Sequence, residues 1–270
     1  MGYPAPVTPA PDEPDAEALW QVLVDAVVLG DDSERIARDD WVQVRTPSSP
    51  LLNVNKILRA RLAPDEADRR IAEVLAEHRA RGASFSWIVD AGSRPADLGE
   101  RLVRAGMRPI GPAFGMVRAV PPADFELPPP PPGVQLERAI AGDEERLAEL
   151  GARGWGEPAY VPAIRAVARR VFAGECADIH YWLAHLDGEL VGSATLRMMP
   201  GLGYMQGACV VPEARGRGIY KALLWARLAF LRARGVTHAV IWARERTSAP
   251  IAARMGFRAV TTAHFFDHVP

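Results

Sequence analysis

The chain has 270 residues, 49% of them hydrophobic and 24% charged, with 32 basic against 33 acidic side chains and a formal net charge of −1. This composition excludes a disordered or fibrous protein and is sufficient for one large core or two smaller ones. No global excess of positive charge exists to release counterions from a nucleic-acid backbone, so nucleic acid is not an expected partner.

The opening Met1-Gly2-Tyr3-Pro4-Ala5-Pro6 has neither a basic n-region nor an apolar h-region. The longest uncharged run, Met198 to Pro212, has 15 residues broken by three glycines, short of the roughly 18 needed for a membrane span. A cytoplasmic chain without a membrane partner is expected. Cys176 and Cys209 are too few for a disulfide framework, and no Cys/His cluster has zinc-site spacing, so no metal is expected.

In the first half, a helix ending at Arg79-Ala80-Arg81-Gly82 precedes a strand-like run, Phe85 to Val89. A second helical segment then ends in Arg104-Ala105-Gly106-Met107-Arg108-Pro109-Ile110. Pro121, Pro122 and the five prolines Pro128 to Pro132 fit neither a helix nor a central strand, because proline fixes φ and lacks an N–H. They predict a semi-rigid linker over 121–132 between domains at 1–120 and 133–270.

The second half predicts a strand near Val134 to Ala139, helices around Asp143 to Ala152 and Pro162 to Phe172, and strands at Ile179 to His185, Leu190 to Met198 and Tyr204 to Val211. A helix from Ile219 to Arg234, a strand Ala239 to Trp242, a helix Ser248 to Met255 and a strand near His264 to His268 complete it. Ile219, Leu223, Ala226 and Phe230, flanked by Leu224, Leu228 and Leu231, form the core stripe of its long helix, leaving Lys221, Arg227, Arg232 and Arg234 for solvent. Helices alternating with hairpin-like strands indicate an α/β protein with mixed sheets.

The two halves share a pattern. Arg232-Ala233-Arg234-Gly235 repeats Arg79 to Gly82 at an offset of 153, and Arg254-Met255-Gly256-Phe257-Arg258-Ala259-Val260 repeats Arg104 to Ile110 at an offset of 150. Two matches nearly in register indicate an internal duplication.

Between a strand ending at Val211 and the long helix lies Pro212-Glu213-Ala214-Arg215-Gly216-Arg217-Gly218-Ile219. Alternating glycines at a strand-to-helix turn let backbone N–H groups converge, and the helix start adds partial positive charge, which suits a phosphate or diphosphate. From Glu213 to Arg246 eight basic residues face two acidic ones, a local net of +6 that implies an anionic ligand. The loop is not a Walker A motif, because Gly218 is followed by Ile219 and Tyr220. Gly201-Leu202-Gly203-Tyr204-Met205-Gln206-Gly207 is one residue too long for a dinucleotide fingerprint and reads as a turn.

Arg215-Gly216-Arg217-Gly218-Ile219-Tyr220, after a strand and opening a helix, resembles the Arg/Gln-x-x-Gly-x-Gly/Ala hallmark of the GNAT superfamily of N-acyltransferases, departing from it at Tyr220. Ser248-Ala249-Pro250-Ile251-Ala252-Ala253-Arg254-Met255-Gly256-Phe257 resembles that family's last helix and its Gly-Phe ending. The resemblance covers about residues 133–270 and implies two GNAT-like domains, each a mixed, mostly antiparallel sheet flanked by helices, the first of them degenerate. It implies acetyl-CoA as cosubstrate, its diphosphate on the amides of Arg215, Gly216, Arg217, Gly218, Ile219, Tyr220 and Lys221 and its pantetheine along Cys209, Val210 and Val211, with an oxyanion donor around Val210. At the offset of 153 the loop falls on Leu62, Ala63, Pro64 and Asp65, where Pro64 removes a donor and Asp65 repels phosphate, so the first half is expected to lack a cofactor site.

The family's acid–base positions are not conserved in type here. Its general-base Glu falls on Tyr204, its thiolate-protonating Tyr on Ala252, and its Asn on Glu245. Three candidates remain for catalysis. Tyr204 shares a strand face with Gln206 by the two-residue period and holds substrate or water, or is a buried core aromatic. Glu157, in Trp155-Gly156-Glu157-Pro158-Ala159-Tyr160, binds an ammonium or acts as base, or is a solvated loop residue. Ser248 caps its helix or donates to the thiolate. Tyr220 packs on the cofactor or caps the helix, and Cys209 reads as a small strand residue rather than a nucleophile.

The implied function is transfer of an acetyl or short acyl group from acetyl-CoA to the amine of a small molecule. The alternatives are a non-catalytic acyl-CoA sensor and another acyl-CoA reaction such as decarboxylation. The oligomeric state is not readable from these patterns.

Overall fold

The structure, a computed structural model, describes residues 13–26 and 32–270; the N-terminal hexapeptide reading lies outside them. The first half contains α1 (Ala16–Asp25), β1 (Glu34–Ala37), β2 (Val42–Arg45), β3 (Lys56–Leu58), α2 (Ala67–Ala80), β4 (Phe85–Val89), α3 (Leu98–Arg104) and β5 (Arg108–Ala119). The second contains β6 (Val134–Arg138), α4 (Glu144–Trp155), α5 (Val161–Phe172), β7 (Ile179–Leu186), β8 (Glu189–Met199), β9 (Leu202–Tyr204), β10 (Ala208–Val210), α6 (Ile219–Arg232), β11 (His238–Arg244), α7 (Ser248–Arg254) and β12 (Arg258–His268).

The duplication is visible in the elements. α2, β4, α3 and β5 recur as α6, β11, α7 and β12, and β3 pairs parallel with β4 as β9 does with β11. All other strand pairs are antiparallel.

Among the described residues all 12 strands join one sheet, in the order β1-β2-β3-β4-β12-β5-β11-β9-β8-β7-β6, with β10 also on β8. The final strand of each half therefore lies against the other half's penultimate strand: β12 pairs with β4, and β5 with β11. β5 and β12 meet at the centre from Arg258↔Val117 to Asp267↔Arg108. Helix α1 lies across this junction, where Trp20 Nε1 donates to Thr261 Oγ1 at 3.2 Å and Trp242 Nε1 to the Leu19 carbonyl at 3.0 Å. Polar indole atoms buried at a seam need such partners, and these tie the halves together.

The proline-rich segment is packed along α6. Phe125 stacks on Trp225 with ring centroids 5.7 Å apart, and Arg232 Nη1 donates to the carbonyls of Pro122 and Phe125 at 3.2 and 2.9 Å.

Three sequence expectations are corrected. The strand expected over Tyr204 to Val211 is two strands, because Met205–Gly207 bulge out and the Gln206 N–H turns back onto the Tyr204 carbonyl at 2.8 Å. The two-residue period that placed Tyr204 and Gln206 on one face does not hold across such a bulge. Arg227, expected in solvent, is 0% exposed. It lies on α6 between Leu223, Leu224, Leu228 and Leu231, so the helix buries a wider face than its apolar stripe suggests.

Candidate functional site

β9 follows β11 in parallel from Leu202↔His238 to Tyr204↔Val240, and the last link is Met205 N to the Val240 carbonyl at 2.8 Å. Beyond the bulge, β10 pairs with β8 alone, from Ala208↔Ala194 to Val210↔Gly192. A wedge opens between β10 and β11. Since Gly207 and Val211 bond toward β8, the alternation of an antiparallel strand turns the N–H groups of Ala208 and Val210 to the open edge.

That edge forms one wall of a cleft of about 610 Å³, whose other walls are Trp155, the loop at Arg215, Gly216 and Gly218, the start of α6 and the start of α7. Gly216 and Gly218 have φ of 79° and 80°, a left-handed conformation that glycine adopts without side-chain strain. Gly218 caps α6 without a side-chain bond, and the first helical acceptor used is its own carbonyl, reached by Ala222 N at 3.0 Å. Among the described residues no protein oxygen accepts from the amides of Gly216 to Lys221. Six unused donors at a helix N-terminus are an anion site by geometry and by dipole.

The two arginines of the loop differ in use. Arg215 staples the walls, donating from Nη2 to Gly154 O at 2.8 Å and from Nε to Val210 O at 3.1 Å. Arg217 is exposed, 4.0 Å from Asp187. Lys221 and Arg254 add cations to the cleft. Trp155 comes from the segment that the resemblance places over the acceptor site, whereas Thr247, Ile251 and Arg254 line the cleft without a signal in the sequence, because helix and loop patterns do not show which neighbours face one another.

Ser248 lines the cleft, and Thr247 rather than Ser248 occupies the N-cap of α7. Ser248 Oγ accepts from Arg244 N at 2.9 Å, so its hydroxyl is tied back to β11. Tyr220 lines the same wall; burial raises its phenol, while nearby Arg227 and Ser248 oppose the shift. The phenol is protonated at neutral pH.

Tyr204 is 9% exposed, in a core cluster with Leu19 and Val22 of α1, and burial pushes its hydroxyl up. Glu157 precedes the 3-10 turn Pro158–Tyr160 and is exposed. Neither lines the cleft. Cys209 is buried, its thiol pushed up by burial, with Sγ 3.6 Å from the Leu150 carbonyl. A Cβ on Gly154 would come 2.6 Å from Cys209 Cβ, so Gly154 lets α4 approach β10.

In the first half the corresponding opening is stitched shut. Arg61 and Arg94 form a parallel bridge, Leu62 N donates to Arg94 O at 3.1 Å, and Arg94 N donates to Ala60 O at 2.9 Å. Ala63 O accepts from the N–H groups of Glu66 and Ala67, and Pro64 O accepts from Arg101 Nη1.

Among the described residues no cluster of His, Cys, Asp and Glu is arranged to hold a metal ion, and no helix is long and apolar enough to cross a membrane.

Residues 145–257 match the model of the Acetyltransferase (GNAT) family. The chain is similar in structure to a GCN5-related N-acetyltransferase from Kribbella flavida (18% identity, 94% of each chain covered, TM-score 0.60). It is also similar to one from Sphaerobacter thermophilus (19%, 90% of this chain and 82% of that one, TM-score 0.62). A third similar structure is a tandem GNAT protein from the clavulanic acid biosynthesis pathway (14%, 97% and 89%, TM-score 0.58). Likeness at these identities establishes the fold. No curated protein matches the chain.

Proposed function

From the premise that the chain carries an acetyltransferase domain of the GNAT family, we propose that it transfers an acetyl or other short acyl group from a CoA thioester to the amine of a small molecule. The six unused amides from Gly216 to Lys221, opening onto the cleft beside the free edge of β10, carry this reading. They fit a diphosphate, and the open-edge N–H groups of Ala208 and Val210 fit the amide-bearing arm of CoA and the developing charge on a carbonyl oxygen. When bound, the thioester supplies an activated acyl group. An amine acceptor must lose a proton, since a simple alkylamine has a pKa of about 10, and the departing thiolate must gain one. The Tyr220 phenol, held protonated by burial, is the donor group in the cleft suited to the second task. The first half is proposed to shape the acceptor side without binding CoA itself, because its opening is closed by the Arg61–Arg94 bridge.

A second reading, a non-catalytic acyl-CoA sensor, is favoured by one observation: among the described residues no carboxylate or histidine lines the cleft. Thiol release from acetyl-CoA, followed colorimetrically across an amine panel, separates the two. Acceptor-dependent thiol production supports transfer; tight CoA binding with no thiol release from any amine supports the sensor.

A further inference from the structure

The cleft passes through the sheet. On β10, Cys209 faces α4, with Sγ 3.6 Å from the Leu150 carbonyl, while Gly192, opposite the next residue Val210, faces α6, since a Cβ there would lie 3.2 Å from Ile219 Cγ2. On β9, a Cβ on Gly203 would meet Leu231 of α6, and its neighbours Leu202 and Tyr204 pack with Leu19 and Val22 of α1. Helices α1 and α4 therefore share one face and α6 covers the other. Trp155 at the end of α4 and the starts of α6 and α7 all line the cleft, so the gap between β10 and β11 is open on both faces. A CoA held by its diphosphate at the start of α6 would fill the opening on that side and leave the face of α1 and α4 to the acceptor.

Arg244 stands at the opening on that second face. Two residues earlier on β11, the Trp242 ring packs on Trp20 of α1 with centroids 4.8 Å apart, so the strand period puts the Arg244 side chain on the same face. Its guanidinium lies over the Phe265 ring, 4.6 Å from the centroid, and its backbone N–H is tied to Ser248 Oγ in the cleft wall. Trp155 and Gln206 border the same opening. The Trp155 ring is 3.8 Å from where a Cβ of Gly207 would stand, and Gln206 Nε2 donates to the Ala26 carbonyl at the end of α1 at 3.1 Å. Arg244 is exposed, and among the described residues no oxygen accepts from its guanidinium. Asp267, two residues after Phe265, acts on it by charge without forming an ion pair, and one Asp267 oxygen takes the Ser86 hydroxyl. Arg101, Arg146 and Arg165, by contrast, are each closed onto a carboxylate. A guanidinium resting on an aromatic ring keeps its N–H edge free, and two nitrogens along that edge match the two oxygens of a carboxylate.

We propose that Arg244 holds a carboxylate of the acceptor, so that the substrates are amines that also carry an acid, of the amino-acid type. This rests on the acyl-transfer reading above and specifies its acceptor.

Thiol release from acetyl-CoA by the full chain is compared for amines differing by one carboxylate: phenylalanine against phenethylamine, tryptophan against tryptamine, lysine against cadaverine. Phosphoethanolamine against ethanolamine separates phosphate from carboxylate. The expected result is a kcat/KM about tenfold or more higher for the carboxylated member of at least one pair, the worth of one charge-assisted pair. Arg244→Gln brings that ratio close to one by raising KM, Arg244→Lys restores part of it, and the Kd for CoA is unchanged in both. Pairs without turnover are titrated by calorimetry into the protein saturated with CoA, where the same preference is expected in Kd. CoA binding with no carboxylated member preferred in either assay overturns the proposal alone, whether or not the variants fold. A carboxylate preference that survives in Arg244→Gln overturns it too, as does a preference confined to phosphoethanolamine. Failure of CoA itself to bind overturns the acyl-transfer reading and the proposal with it.

Discussion

Replacing Gly216 with Asp, and in parallel with Asn, isolates the charge requirement of the loop. Both side chains take on the left-handed φ of 79°, and a Cβ there meets nothing within 4 Å, so the steric and backbone consequences are shared. Gly218 is a poorer choice, because its Cβ would lie 2.8 Å from Pro131 Cγ and the effect would mix packing with electrostatics. Only Asp adds a negative charge. At about 5 Å from a diphosphate charge, repulsion is about 1 kcal/mol with water-like screening and about 3 kcal/mol at an effective dielectric of about 20. That range is roughly a 5- to 150-fold weaker Kd for CoA in Gly216→Asp than in Gly216→Asn. Calorimetry at about 0.15 M salt reads the difference, and higher salt should shrink it. Equal affinities for the two variants would refute the placement of the diphosphate on this loop.

Three further outcomes are expected. A fragment of residues 133–270 lacks β5 and exposes the edges of β11 and β12, so size-exclusion chromatography should find oligomers or aggregates; a stable folded monomer would contradict the strand exchange. Burial beside Arg138 and Arg234 lowers His180 from 6.5 to about 4. The unfolded chain therefore takes up a proton that the native state refuses, and stability should fall by about 1–3 kcal/mol as pH drops from 6.5 toward 4; acid denaturation should show that slope flattened in His180→Phe. Gly203→Val places a Cβ 2.3 Å from Leu231 Cδ2 and should cost about 1–3 kcal/mol by overpacking, measured as a lower urea midpoint, with wild-type stability counting against the close α6–β9 contact.

Much of this protein is encoded locally. The Arg215–Gly218 turn, the apolar stripe of α6, the strand at Phe85 and the repeated helix ends at Arg79 and Arg232 follow from capping, glycine φ freedom and periodicity within short windows, and the structure has elements at those places. The proline run was legible as non-helical, but not its packing against Trp225 and Arg232, since those partners lie about 100 residues away in the chain.

What tertiary structure alone decided is who neighbours whom. The strand expected near His264 to His268 carries no sign of its crossing into the opposite half, because a strand edge is a row of identical N–H and C=O groups that any partner satisfies. The bulge at Met205–Gly207 is a mismatch between two strands, so no single strand carries its signature. Arg227 shows the same limit. A cation on an amphipathic helix reads as solvated until the carbonyl of Thr195, at the edge of that bulge, is found opposite it.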